Sequence, residues 1–157
     1  MSSVYIETTI PSYYFETRKD ARSVAWREAT REWWDRERRR YRIVTSAYVL
    51  AELALSPPEK AAKGRILIAN VPWLNAPPGA REVAQYYIDH QLMPKDAEGD
   101  AMHLALASIH GIDFLLTWNC QHLANMNKIR HLSVLNARLE LPVPVITTPL
   151  TLMTERK

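Results

Sequence analysis

The chain has 157 residues, of which 47% are hydrophobic and 24% charged, and this is the size and composition of one globular domain. Its four glycines form no glycine-rich phosphate-binding loop, and its single cysteine excludes an intrachain disulfide framework and a CxxC metal site. No apolar run reaches the roughly 18 residues of a membrane span. We expect one soluble, cytoplasmic domain over residues 1–157, with a core at 3–150 and a C-terminal tail at 151–157.

The predicted elements alternate between strands and helices along the chain. Apolar runs predict short strands at residues 4–7, 43–44, 114–117 and 143–146, and a weaker strand at 71–74. Helical spacing predicts helices at residues 21–41, 47–55, 59–70, 77–91, 95–110 and 121–135. Ser46 is the expected N-cap of the helix at 47–55. This alternation predicts an α/β domain whose central, mainly parallel sheet of four to five short strands is flanked by helices.

Basic residues concentrate in residues 18–42, which hold ten of the twenty lysines and arginines against five acidic residues. The net charge of this segment is therefore +5, while the rest of the chain carries −2. A basic stripe suits a polyanion such as RNA, because neutralised phosphates release their counterions. It also suits a solvated helix face, since Glu32 and Arg36 are four residues apart. The run Arg38, Arg39 and Arg40 is the best candidate for RNA binding.

Candidate functional residues follow the predicted strands, because ligands of an open parallel sheet bind beyond the carboxyl ends of its strands. Glu7 ends the first strand, and Asn119 comes soon after the strand at 114–117. Glu52 is the one charged residue in the apolar run 47–55. Asp100 lies in the first turns of the helix at 95–110, with Asp96 one turn earlier. Each of them alone also fits an ordinary role as a cap, a turn residue or an ion-pair partner.

Together these residues predict one acidic cluster. Three or four carboxylates and an amide form an all-oxygen site that suits Mg²⁺ or Mn²⁺. Such an ion neutralises a phosphodiester and activates water. The hydroxyls of Thr8 and Thr117 could hold a water or a phosphate oxygen at the site, and the basic stripe would attract the polyanion.

Three stretches of the chain carry a family resemblance: VYIETTIP, TSAYVLAEL and EGDAMHLALASIHGIDFLLTWNCQHL. In this order and spacing the sequence resembles the PIN domain, and within it the VapC-type toxins, over about residues 3–150. The resemblance implies an α/β nuclease in which Glu7, Glu52, Asp100 and Asn119 form a Mg²⁺ or Mn²⁺ site. It further implies an endoribonuclease that leaves a 5′-phosphate and a 3′-hydroxyl, a small antitoxin protein that inhibits it, and a homodimer.

The chain departs from the family pattern at two of these positions. The first motif more often carries Asp than Glu, and the fourth is often Asp where this chain has the neutral Asn119. These departures keep a second hypothesis open, namely a PIN-like RNA-binding or scaffold module without catalysis. A phosphoryl receiver or a haloacid-dehalogenase-type phosphatase is disfavoured, because the first strand ends in Glu7 and two threonines instead of an Asp nucleophile.

The histidines and tryptophans have mainly structural interpretations. His122 is expected beside the metal ligands and not among them. His103 points about 60° away from Asp100 around the helix, at roughly 100° per residue, and is expected to pack in the core. Trp26 and Trp33 lie on one helix face and are also expected to pack, with stacking on bases as the alternative.

Overall fold

A four-stranded sheet forms the centre of the fold in the computed structural model of the chain, which describes residues 1–155. Its strands are β1 (Ser3–Ile6), β2 (Arg42–Val44), β3 (Phe114–Leu116) and β4 (Val145–Thr147), in the order β2-β1-β3-β4. All three strand pairings are parallel. The predicted fold class, an α/β domain with a parallel central sheet, is confirmed.

The composition of β1 reflects its central position. Val4, Tyr5 and Ile6 have no exposed surface, because a parallel strand that is covered on both faces presents no side to solvent. β2 and β4 lie at the two edges of the sheet, and Val145 of β4 is exposed. A continuous apolar run therefore marks the centre of this sheet, and shorter, partly exposed strands mark its edges.

Helices cover the sheet on both sides. The connection from β1 to β2 runs one way across the sheet and that from β3 to β4 runs the other way, so right-handed crossovers place their helices on opposite faces. No helix in residues 1–155 is long and apolar enough to cross a bilayer. The helices are α1 (Thr9–Tyr14), α2 (Ala21–Glu32), α3 (Ala47–Leu53), α4 (Pro58–Leu67), α5 (Gly79–Asp89), α6 (Glu98–Ile109), α7 (Met126–Arg138) and α8 (Pro149–Glu155).

The long basic helix predicted at 21–41 is divided into three parts. The α-helical part ends at Glu32 and is followed by a π-helical turn at Trp33–Glu37 and a 3₁₀ turn at Arg38–Arg40. Trp33 and Trp34 are both buried, although they are adjacent in sequence. The wider turn allows both rings to reach the core, which a regular α-helix with one apolar face does not.

Residues 71–74 do not form a strand. Thr45 makes a single parallel bridge to Trp73 there, through hydrogen bonds with the carbonyl of Pro72 and the amide of Leu74. Pro72 has no amide hydrogen to donate, so the ladder does not extend. The edge of the sheet therefore stays at β2.

The C-terminal segment differs from the predicted tail. The residues from Pro149 onward form α8, which packs against α2, and Leu152 is buried. Of the predicted tail, residues 156–157 lie outside the described part of the chain. The domain core therefore continues beyond residue 150.

Helix α6 is almost entirely buried, and this position determines where its polar residues point. Its residues from Ala101 to Ser108 are all inaccessible or nearly so. A buried polar network joins it to its neighbours: the Tyr87 hydroxyl contacts Ser108 Oγ at 3.2 Å and donates to Asn136 Oδ1 at 2.6 Å. Helices α5, α6 and α7 thus form one layer on a single side of the sheet.

Candidate metal centre

The candidate site lies at the point where the strand order reverses. From β1 the chain proceeds to β2 on one side, and β3 and β4 lie on the other, so the switch point is between β1 and β3. Ligands of open α/β sheets bind beyond the carboxyl ends of the strands at such a point. Glu7 follows β1 and Thr117 follows β3, and the Thr117 hydroxyl donates to Glu7 Oε1 at 2.7 Å.

Glu7 is a buried carboxylate that is held through one of its two oxygens. Besides Thr117, the backbone amide and the hydroxyl of Thr9 donate to Oε1, at 3.0 and 2.5 Å. No hydrogen bond from the described residues reaches Oε2. Burial raises the pKa of this carboxyl, and the nearby His103 charge and the hydrogen bonds from Thr9 and Thr117 act in the opposite direction.

Glu52 reaches the same place from α3. Its Oε1 accepts from the Thr8 hydroxyl at 2.5 Å and contacts His103 Nε2 at 2.5 Å. Burial opposes ionisation of this carboxyl, but the hydrogen bond and charge of His103 and the hydrogen bond of Thr8 together lower its pKa. Gly99 makes room for the other oxygen, because a Cβ built on Gly99 would lie 2.6 Å from Glu52 Oε2.

Asp100, on the first turn of α6, completes the carboxylate set on the β3 side. Its Oδ2 accepts from Asn119 Nδ2 at 3.0 Å and contacts His122 Nδ1 at 2.8 Å. The side-chain oxygen of Asn119 in turn accepts from the backbone amide of His122 at 3.0 Å, and the backbone amide of Asn119 donates to Thr117 Oγ1 at 2.9 Å. The structure thus links Asp100 to Glu7 through Asn119 and Thr117.

The three carboxylates share one arrangement. In each, hydrogen bonds from the described residues hold one oxygen and leave the second one for another partner. Carboxylates that bind metal ions are oriented in this way by the residues behind them. Thr8 and Thr117, predicted to hold a water or a phosphate oxygen, donate to Glu52 and Glu7 in the structure, and Thr9 adds a contact that was not predicted. His122, predicted beside the ligands, contacts Asp100. Both ends of the Asn119 side chain make hydrogen bonds within the protein, so in this structure it positions Asp100.

His103 is a site residue that the sequence interpretation assigned to core packing. Ligand atoms of Glu7, Glu52 and His103 all lie within 4.8 Å of one another, and together they could hold a metal ion. The predicted all-oxygen cluster therefore includes an imidazole, and Asp100 does not belong to the group of residues that lie within this distance. Its signal in the sequence is the position one helical turn after Asp100, in a segment with no other polar residue before Ser108.

The environment of His103 keeps the imidazole fixed. Its Nδ1 lies 2.6 Å from the Tyr5 hydroxyl, which is 2.6 Å from Ser46 Oγ. Ser46 was predicted to cap α3, but its hydroxyl faces this chain of contacts and makes no capping hydrogen bond. Burial would lower the pKa of His103, but the hydrogen bond and charge of Glu52 and the charges of Glu7 and Asp100 raise it.

Two sets of predicted residues lie elsewhere. Asp96 is exposed in the segment before α6 and makes no hydrogen bond to the cluster within residues 1–155. The run Arg38, Arg39 and Arg40 directly precedes β2 and therefore lies at the amino end of the sheet. The carboxylates lie at the carboxyl end, so these arginines do not flank the site.

Comparison of the sequence with models of known protein families and with curated proteins finds no match.

Proposed function

We propose that the chain is a metal-dependent endoribonuclease that hydrolyses RNA phosphodiester bonds. The observation that carries this proposal is the cluster of Glu7, Glu52 and His103 at the switch point of the sheet, whose ligand atoms all lie within 4.8 Å of one another. Asp100 is joined to Glu7 through Asn119 and Thr117. A divalent cation would compensate the negative charge of these carboxylates and so allow an anionic substrate to approach them. The resemblance of the sequence to PIN domains supports RNA as the substrate.

The chain's own residues have distinct roles in this proposal. Glu7, Glu52 and Asp100 would hold Mn²⁺ or Mg²⁺. His103 would be an additional metal ligand or the group that orients Glu52. The bound ion would neutralise the phosphodiester and activate water. Thr8, Thr9 and Thr117 keep the carboxylates in place, which lowers the cost of reorganisation when substrate binds.

The proposal includes a biological context that follows from the same resemblance. A VapC-like chain would be the toxin of a toxin–antitoxin pair, a homodimer in the cytoplasm whose activity a small antitoxin protein blocks. Purification of the chain from cells that produce it naturally, with identification of any small protein that co-purifies, would test this part separately from the chemistry.

Cleavage of a mixed RNA pool by the purified chain tests the chemistry, with Mn²⁺, with Mg²⁺ and with EDTA. The critical variant is Glu52→Gln, which keeps the shape of the side chain and removes its charge. Glu59→Gln is the matched control, because Glu59 is exposed on α4 and pairs only with Lys63, at 3.2 Å. We expect cleavage that requires metal, is lost in Glu52→Gln and is unchanged in Glu59→Gln. Cleavage by Glu52→Gln at the wild-type rate would refute the assignment.

A second candidate function, an RNA-binding module without catalysis, is favoured by one observation. Asn119 uses both ends of its side-chain amide on Asp100 and His122, so the fourth motif position carries a neutral oxygen that already accepts a hydrogen bond, where a carboxylate would be a stronger ligand. Such a module would retain RNA with a steep salt dependence and would leave it uncut in Mn²⁺. The same cleavage experiment therefore separates the two functions.

A further inference from the structure

A stack of aromatic rings connects the candidate site to a guanidinium at the surface. Trp118 comes directly after Thr117 at the end of β3, and its ring stacks on Trp26 of α2 with centroids 4.5 Å apart and planes at 13°. On α2, one turn before Trp26, the guanidinium carbon of Arg22 lies 4.7 Å from the centroid of the Trp26 ring. The stack runs from the site, through two indoles, to a cation.

Hydrogen bonds fix the inner ring of this stack. The indole nitrogen of Trp118 donates to Thr30 Oγ1 at 2.7 Å, and its backbone amide donates to Thr9 Oγ1 at 2.8 Å. Thr9 also donates to Glu7. Tyr13 packs its ring edge-on to Trp26, with centroids 5.2 Å apart. The platform under Arg22 is therefore rigid and is joined to a carboxylate of the candidate metal centre.

Three arginines of the basic segment lie over an aromatic ring, namely Arg22, Arg31 and Arg38, and two of them, Arg31 and Arg38, also donate to backbone carbonyls. Arg18 pairs with Glu16 at 2.9 Å, Arg40 pairs with Glu37 at 2.9 Å, and Arg38 donates to the Trp34 carbonyl at 2.6 Å. Arg22 is exposed and makes no salt bridge within the described residues. A guanidinium that stacks by its face still directs its N–H groups outward in its own plane. Its hydrogen-bonding edge is thus free for an anion.

Arg22 also lies at the same end of the sheet as the carboxylates. α2 begins at the carboxyl end, since α1 and a short loop connect it to β1, and it ends toward the amino end, where β2 begins. The charge of Arg22 reaches Cys120 in the loop that carries Asn119, where burial raises the pKa of the thiol and Arg22 acts in the opposite direction. This cation is therefore close to the site, unlike Arg38–Arg40.

We propose that Arg22, held on the face of Trp26, binds a phosphate of single-stranded RNA and positions the strand beside the carboxylate cluster. This inference rests on the proposed ribonuclease function for its substrate class. The preformed stack reduces the side-chain entropy that Arg22 loses on binding. It also places a positive charge at the end of the sheet that carries the site carboxylates, which would otherwise repel an approaching polyanion. Arg22 is a binding residue in this proposal and takes no part in the hydrolysis.

Fluorescence anisotropy tests the proposal by measuring how tightly the chain binds a labelled single-stranded RNA oligonucleotide of mixed sequence. EDTA is present so that the RNA is bound but not cleaved. Arg22→Gln is the critical variant. Arg39→Gln is the matched control, since Arg39 is an equally exposed arginine of the same basic segment at the opposite end of the sheet. We expect Arg22→Gln to weaken RNA binding about tenfold and to reduce the slope of log affinity against log salt concentration by the equivalent of roughly one phosphate contact. Arg39→Gln should change the affinity by less than about twofold.

A further variant tests the role of the stack. Trp26→Leu keeps the charge of Arg22 and removes its platform, so it should weaken binding by about three- to tenfold while circular dichroism shows a folded protein.

Equal effects of Arg22→Gln and Arg39→Gln would overturn the proposal, as would a wild-type chain that binds no RNA. Wild-type cleavage with Mn²⁺ is measured in parallel. RNA binding that depends on Arg22, without cleavage, would refute the ribonuclease function and support the RNA-binding role of Arg22. Cleavage that Arg22→Gln leaves unchanged would support the ribonuclease function and refute the role of Arg22.

Discussion

His103 Nε2 lies 2.5 Å from Glu52 Oε1, and the imidazole that makes this contact has no exposed surface. The pair is coupled: the carboxylate raises the pKa of the imidazole, and the imidazole helps to lower the pKa of the carboxyl. A proton on His103 would supply the positive charge that stabilises an ionised Glu52 in this partly buried position, as a bound divalent cation would. The proton and a divalent cation are therefore competitors at the candidate centre.

Replacing His103 should destabilise the protein strongly. His103→Leu removes a buried partner from both Glu52 and Tyr5, so we expect the free energy of unfolding to fall by about 2–4 kcal/mol. Chemical denaturation measures this loss. His90→Gln is the control, because His90 is exposed and its ring contacts the carbonyl and the ring of Tyr86 on the same helix. Equal stability of both variants would contradict the buried coupling.

The stabilisation by metal should depend on pH with a defined sign. A raised His103 pKa contributes stability that is present below its ordinary value of 6.5 and is lost as the pH rises through the folded value. The raised pKa of Glu7 acts with the same sign above 4.5, because ionisation in the buried site becomes costly. Added Mn²⁺ should therefore raise the melting temperature more at about pH 8 than at about pH 6, since its ligands are then deprotonated.

The lowered pKa of Glu52 makes the stability of the fold depend on pH in the opposite direction and over a different pH range. Its contribution is present above 4.5 and is lost as the pH falls through the folded value. Melting curves with EDTA and with Mn²⁺ at both pH values provide the measurement, and Glu52→Gln is the reference for a damaged centre. A stabilisation by Mn²⁺ that is the same at both pH values would count against proton competition.

Gly99→Ala should damage metal binding without weakening the fold. The new methyl group would meet Glu52 Oε2 at 2.6 Å and displace it, while alanine itself favours the helix that contains residue 99. We expect the affinity for Mn²⁺ to fall about tenfold or more, measured by calorimetry. Gly79→Ala is the control, because a Cβ there has no neighbour within 4 Å. Unchanged affinity in Gly99→Ala would show that Oε2 does not take part.

The polar network between α5, α6 and α7 should contribute to stability and not to activity. Asn136 is inaccessible, contacts Tyr87 and Ser108, and donates to the Pro142 carbonyl at 2.9 Å. Asn136→Leu should lower the free energy of unfolding by about 2–3 kcal/mol, since it leaves buried groups without partners. The variant should retain Mn²⁺ affinity at temperatures where it is folded, because Asn136 contacts none of the carboxylates. A loss of affinity in the folded variant would contradict this separation.

Sequence reasoning identified the parts of the fold that depend on local pattern. The apolar run that became β1 and the alternation with helices predicted the parallel sheet, which is confirmed. The predictions that the structure corrects also concern local features of the chain. Trp33 and Trp34 are adjacent, so no α-helical period buries both, and the π-helical turn that resolves this conflict has no simple sequence signal. Pro72 permitted an edge strand, but only one bridge forms there.

The sequence by itself determined which residues could carry chemistry, because charge in an apolar run and polarity at a strand end are properties of the chain. Glu7, Glu52 and Asp100 were found in this way. Only the tertiary structure decided what each of them meets. His103 contacts Glu52 across 51 positions, and Trp26 lies under Arg22 and against Trp118. Such contacts depend on how helices pack across the sheet, and periodicity along one helix specifies a direction but not the neighbour that lies there.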